Sequence, residues 1–144
     1  MSNKILVALD GSDGGIRAAK LAAEHAVASS SDLILIYVID WSPYSFNTPE
    51  ENEERHMRRE SEIQRAKESV LEPMASELKE SGLNIETIVR HGNIAETIVR
   101  IAKKNNVSQI FLGKLGESKL RSMLFGSVTA ALVQTSSVPV TVVP

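Results

Sequence analysis

The chain has 144 residues, 42% of them hydrophobic and 24% charged, which suits one domain whose core needs no cross-links. The absence of cysteine excludes a disulfide scaffold, thiolate metal sites and a cysteine nucleophile together. With 16 basic against 18 acidic residues the net charge is -2, so global electrostatics give no case for nucleic-acid or membrane-surface binding.

Residues 4–9 are a short, near-continuous apolar run of the kind a strand covered on both faces needs, and Asp10-Gly11-Ser12 ends it. Too few apolar residues precede Asp10 for a signal-peptide core. No stretch approaches the roughly 18 that a spanning helix needs, and a cytoplasmic setting is expected. From Ile16 the apolar positions fall at helical spacing through Ala19, Ala22, Ala23, Ala26 and Val27, with Ser12 or Asp13 as N-cap. Residues 33–39 form a second buried strand, and two such strands around a helix imply a right-handed parallel crossover.

Trp41, Pro43, Tyr44, Phe46 and Pro49 then make an ordered surface loop rather than a linker. Residues 50–81 predict a long charged helix with the apolar stripe Ile63, Ala66, Val70, Met74 and Leu78, which Pro73 should kink or divide. A third, less buried strand covers residues 84–89. Asn93 and Glu96 have the spacing of a capping box for a fourth-strand approach helix reaching about Asn105. Residues 109–112 form the fourth strand, residues 127–136 a last helix and residues 138–143 the fifth strand.

Strands alternating with helices specify a single domain over residues 1–144. Its fold is an open five-stranded parallel α/β sheet with helices on both faces, whose ligands sit beyond the carboxyl ends of the strands at the switch in strand order. The candidate loops follow strand one (residues 10–15), strand two (Ile39 onward) and strand four (residues 113–126). The last holds Gly113, Gly116 and Gly126-Ser127, with Lys114, Lys119 and Arg121 between them. Glycines allow close backbone approach, and free N–H groups at a helix start attract an anion. That chemistry fits a phosphate and equally fits a flexible surface loop capped by Ser127. Asp10 fits a ribose hydroxyl or a metal ion, and equally an acceptor within its own Asp-Gly-Ser turn. Neither Gly-x4-Gly-Lys-Ser/Thr nor Gly-x-Gly-x2-Gly is present.

In order, Val7-Ala8-Leu9-Asp10-Gly11-Ser12, Tyr37-Val38-Ile39-Asp40, Gly113-x2-Gly116-x9-Gly126-Ser127 and Pro139-Val140 resemble the nucleotide-binding branch of the universal stress protein family. The resemblance implies a Rossmann-like, adenine nucleotide alpha hydrolase-like fold with strand order 3-2-1-4-5. It also implies an ATP site. Asp10 and the backbone around Ala8 and Val38 would hold adenine and ribose, and Leu112 and Gly113 would line the floor. Gly116, Gly126, Ser127, Val128 and Thr129 would meet ribose and phosphates, with Mg2+ held by the phosphates. A homodimer through Val140–Val143 is implied too, where an apolar edge strand would otherwise stand open. Lys114 and Leu115 depart from the Ser or Thr, then His or Arg, that many relatives carry.

No catalytic set can be assembled around His25, His56 or His91, so a nucleotide-dependent regulatory or stress-response role is expected, with ATP hydrolysis slow at most. The partner that reads the nucleotide state is not named by the sequence. The alternative is a nucleotide-free dimeric interaction protein of the same fold.

Overall fold

In a computed structural model, which describes residues 3–40, 49–114 and 119–144, five parallel strands lie in the order β3-β2-β1-β4-β5. They are β1 (Asn3–Leu9), β2 (Ser31–Asp40), β3 (Ile85–Gly92), β4 (Gln109–Gly113) and β5 (Val140–Val143). The helices are α1 (Asp13–Ser29), α2 (Pro49–Ala66), α3 (Glu72–Leu78), α4 (Ile94–Lys104) and α5 (Lys119–Thr135). The central strand β1 pairs with β2 from Asn3↔Ser31 to Leu9↔Tyr37, and with β4 from Ile5↔Gln109 to Ala8↔Leu112. The chain therefore reverses its direction of winding between β1 and β4, as the expected order requires.

Alternation along the strands divides the core into two layers. Ile5, Val7, Leu9, Leu33, Leu35 and Phe111 pack on one side against the alanine face of α1 and against Leu71, Met74 and Leu78. Leu6, Ala8, Ile34, Ile36, Ile110 and Leu112 pack on the other against Ile98 and Ile101 of α4 and Leu132 of α5. Small residues on α1 (Ala18, Ala19, Ala22, Ala26) let that helix lie close to the sheet. Each fully buried Leu, Ile or Val contributes about 1.5–3 kcal/mol.

Both expected caps form. Ser12 accepts the Gly15 N–H at 3.2 Å to start α1, and Asn93 accepts the Glu96 N–H at 3.0 Å to start α4. β3 is the half-buried outer strand beyond β2. The fifth strand begins at Val140 rather than at residue 138. Pro139 has no N–H to give, although its carbonyl still accepts from Ile110 N at 2.9 Å.

The break at Pro73 takes a form that helical periodicity does not give. Lys67–Leu71 is a π-helical segment in which the Glu72 N–H reaches back to the Lys67 carbonyl. Pro73 has no N–H for the Ser69 carbonyl and its ring crowds that oxygen, so a widened turn is the accommodation. The added residue moves the apolar stripe: Ala66, Leu71, Met74 and Leu78 are buried, so Leu71 takes the core place expected of Val70.

The second difference is larger. α5 starts at Lys119, not at Ser127, which puts Gly126 and Ser127 inside the helix. The run from residue 119 to 125 lacks Gly and Pro and is rich in Lys, Leu, Arg and Met, and those propensities outweigh one interior glycine costing about 1 kcal/mol. Gly116 and the aromatic residues Trp41, Tyr44 and Phe46 of the expected surface loop lie outside the described residues.

Candidate functional site

A cleft of about 630 Å³ opens at the carboxyl ends of β1 and β2. Asp10 and Gly11 form one side of it, Tyr37, Val38, Ile39 and Asp40 its floor, and Ile94 and Val128 a further wall. Glu62, Arg65, Ala66, Ser69 and Val70, from α2 and the π segment, close the opposite side. Its size falls within the range of small-molecule sites.

β2 outruns β1. The last register pair is Leu9↔Tyr37, whereas β2 continues with β3 to Asp40↔Gly92. Val38, Ile39 and Asp40 thus have no β1 partner, and backbone polar groups on that side are available to a bound molecule.

Asp10 does two things. Its Oδ1 accepts from the Ser12 N–H at 2.9 Å and from the Ser12 hydroxyl, which fixes the turn and, through Ser12, the start of α1. Its Oδ2 is buried and has no hydrogen-bond partner among the described residues. A buried carboxylate oxygen at a cleft wall is costly unless something donates to it. The turn thus uses Oδ1 and leaves Oδ2 without a donor among the described residues.

Of the residues expected to form the site, Asp10, Val38 and Val128 line the cleft together. Ala8 and Leu112 lie beneath it, 7% and 0% exposed, in the α4 and α5 layer of the core. Gly113 is used elsewhere: a Cβ there would stand 2.6 Å from Gly14 C and 2.9 Å from Gly15 N, so this glycine lets the start of α1 approach β4. Gly126 and Ser127 are exposed on α5. Thr129 is half-buried there, its hydroxyl oxygen unpartnered among the described residues. As α5 starts at Lys119, the amides of residues 127–129 belong to its interior, not to a free helix start.

The α2 wall was not expected. Glu62, Arg65 and Ser69 sit on an exposed, charged helix, and only the predicted disturbance at Pro73 pointed toward them. At the cleft's edge His91 Nε2 lies 3.9 Å from Glu62 Oε2, with the His91 side chain 14% exposed. Burial first, then the positive charge of Arg59, hold His91 below the ordinary histidine value of 6.5, against the pull of Glu62 and Glu60. The folded chain thus binds this proton less readily than the unfolded chain does. Stability falls as pH drops through 6.5 and levels off below the lowered folded value. His91→Gln should lose less melting temperature than the wild type between about pH 7.5 and pH 5.5; equal losses would mean that burial of this imidazole does not govern the acid limb.

The family model described as Universal stress protein family matches residues 1–144. The chain belongs to that family. It is 31% identical to the universal stress protein YxiE of Bacillus subtilis, over 99% of each chain. Its fold matches the universal stress protein UspA from Lactobacillus plantarum with a TM-score of 0.86 at 26% identity, covering 99% of this chain and 97% of that one. The universal stress protein from Archaeoglobus fulgidus in complex with dAMP shares the fold with a TM-score of 0.69 at 23% identity, covering 99% of this chain and 98% of that chain. Among the described residues no helix is long and apolar enough to cross a membrane.

Proposed function

We propose that this universal stress protein binds an adenine nucleotide in the cleft beyond β1 and β2, with ATP as the physiological form. It would act as a nucleotide-dependent regulatory protein rather than as an enzyme. The observation that carries the reading is Asp10 on the wall of a nucleotide-sized cleft at the reversal of strand order, its carboxylate keeping one buried oxygen, Oδ2, without a partner among the described residues. A ribose hydroxyl supplies the donor this oxygen needs. The edge of residues 38–40 that has no β1 partner suits the edge of a base, and the dAMP complex of a protein with this fold supports the same class of ligand. Mg2+ would be held by the phosphates, where it would offset their charge.

The phosphates would extend toward Gly116, Gly126, Ser127, Val128 and Thr129. For the amides of residues 127–129 to serve them, the first turns of α5 must open, because helical N–H groups are already bonded four residues back. That requirement favours a second reading, the nucleotide-free interaction protein, in which α5 keeps its full length. In both readings a homodimer forms through the outer edge of β5, which pairs only with β4 among the described residues.

Melting the purified protein with and without ATP separates the two readings. Ligand at 100 times its dissociation constant stabilises by about 2.7 kcal/mol, and a nucleotide-free scaffold shows no shift. Asp10→Ala should weaken ATP binding by about 0.5–3 kcal/mol in calorimetry, the range for one polar contact. Unchanged affinity would remove the ribose contact from the assignment while leaving the rest of the cleft in place.

A further inference from the structure

We infer that Arg65, with Ser69 one turn beyond it, holds the phosphate nearest the sugar, so that the nucleotide is gripped from α2 as well as from the glycine-bearing side. The inference rests on the nucleotide reading of the cleft.

Charge is the first argument. Three carboxylates line the cleft, those of Asp10, Asp40 and Glu62, and among the described lining residues Arg65 is the one cation. A phosphate entering this space meets like charge from three sides and needs a local positive partner. Among the described residues no hydrogen bond or ion pair engages Arg65, while Glu62, one turn earlier, faces His91 instead. The guanidinium is therefore uncommitted, and its planar fork suits two phosphate oxygens at once.

The helix geometry is the second. Buried positions step from Ala66 to Leu71, then to Met74 and Leu78, and the five-residue step is the π segment. Ser69 follows Arg65 by four residues, so the two stand one turn apart on one helix face, and both line the cleft. Val70 beside them stands against the turn after β1, where a Cβ on Gly11 would lie 3.5 Å from Val70 Cγ2.

Position is the third. α2 packs on β2 and β3, and Arg65 and Ser69 line the cleft together with Asp10 and Val38, the residues proposed for sugar and base. A group held by Arg65 and Ser69 would lie on that side, where adenosine monophosphate, diphosphate and triphosphate all carry their first phosphate.

The test is calorimetry of adenosine, AMP and ATP with the full chain and its Arg65→Ala, Arg65→Lys and Ser69→Ala variants. Arg65→Ala should weaken AMP and ATP about tenfold or more and adenosine less than about twofold, as expected for one charge-assisted contact. Ser69→Ala should show the same selectivity at smaller size, and Arg65→Lys should fall between wild type and Arg65→Ala. Equal losses for adenosine and AMP would overturn the phosphate assignment and make Arg65 a base contact. Wild-type affinity for all three ligands in Arg65→Ala would overturn it outright. Failure of the wild type to bind any of the three overturns the nucleotide reading itself, an outcome distinct from the other two. Arg65 is exposed on α2, so circular dichroism and melting should report an unchanged fold.

Discussion

Gly113→Ala should lower the melting temperature by about 3–10 °C, corresponding to roughly 1–3 kcal/mol. The added methyl carbon would lie 2.6 Å from the carbonyl carbon of Gly14 and 2.8 Å from its oxygen, inside van der Waals contact on a backbone that has no rotamer to yield. Relief requires the start of α1 to withdraw. That helix is fixed by the Asp10 and Ser12 turn at its N-terminus and by the buried face from Ala18 to Ala26 along its length. β4 cannot move either, since Gly113 is paired with Val143 and the following Lys114 N–H donates to the Val143 carbonyl at 2.7 Å. Gly126→Ala is the control, because among the described residues a Cβ there meets nothing within 4 Å and it replaces an interior helical glycine. It should be neutral or stabilising by up to about 1 kcal/mol. The same substitution at two glycines of one sequence motif is thus expected to have opposite signs. If Gly113→Ala melts with the wild type, close packing of α1 on β4 is not what requires glycine there.

The contrast shows how much of this molecule could be read in its residues. Buried parallel strands announce themselves, because β1 and β2 are apolar on both faces and β1 ends in the polar Asp10-Gly11-Ser12 turn. Local signals were equally direct: Ser12 and Asn93 cap the helices they were expected to cap. Given those elements, the position of the cleft follows from the reversal of strand order. What could not be read depends on register or on context. A stripe spaced at 3.6 residues contains no information about an inserted π residue, so Leu71 is fully buried while Val70 packs only part-buried against the core. Glycine is compatible with a loop, a close contact and a helix interior alike. Gly113 and Gly126 therefore carried the same expectation and have different surroundings. Glu62, Arg65 and Ser69 have the composition of any solvated helix face, and only the packing of α2 over the sheet makes them a wall of the cleft.

Gly126→Val should remove ATP binding by about 100-fold or more while leaving the fold within about 0.5 kcal/mol of wild type. The loss corresponds to two or more charge-assisted hydrogen bonds to phosphate. The two halves of that expectation come from different observations. The fold tolerates the side chain because the residue is exposed and nothing among the described residues stands within 4 Å of a Cβ there. Binding does not tolerate it for two reasons that act together. The isopropyl group would occupy the surface over which the phosphates must approach the amides of residues 127–129. It would also replace the weakest interior position of α5 with a residue that holds helical dihedrals more firmly, opposing the opening of the turns from residue 119 that binding requires. Gly126→Ala separates these contributions: its methyl group is small, but alanine favours the helix most. A large loss of affinity in Gly126→Ala would make opening of α5 the dominant cost, whereas a small loss there with a large one in Gly126→Val would make it steric. Wild-type ATP affinity in Gly126→Val would place the phosphates away from α5 altogether and leave Arg65 of α2 and Ser69 of the π segment as the groups that hold them.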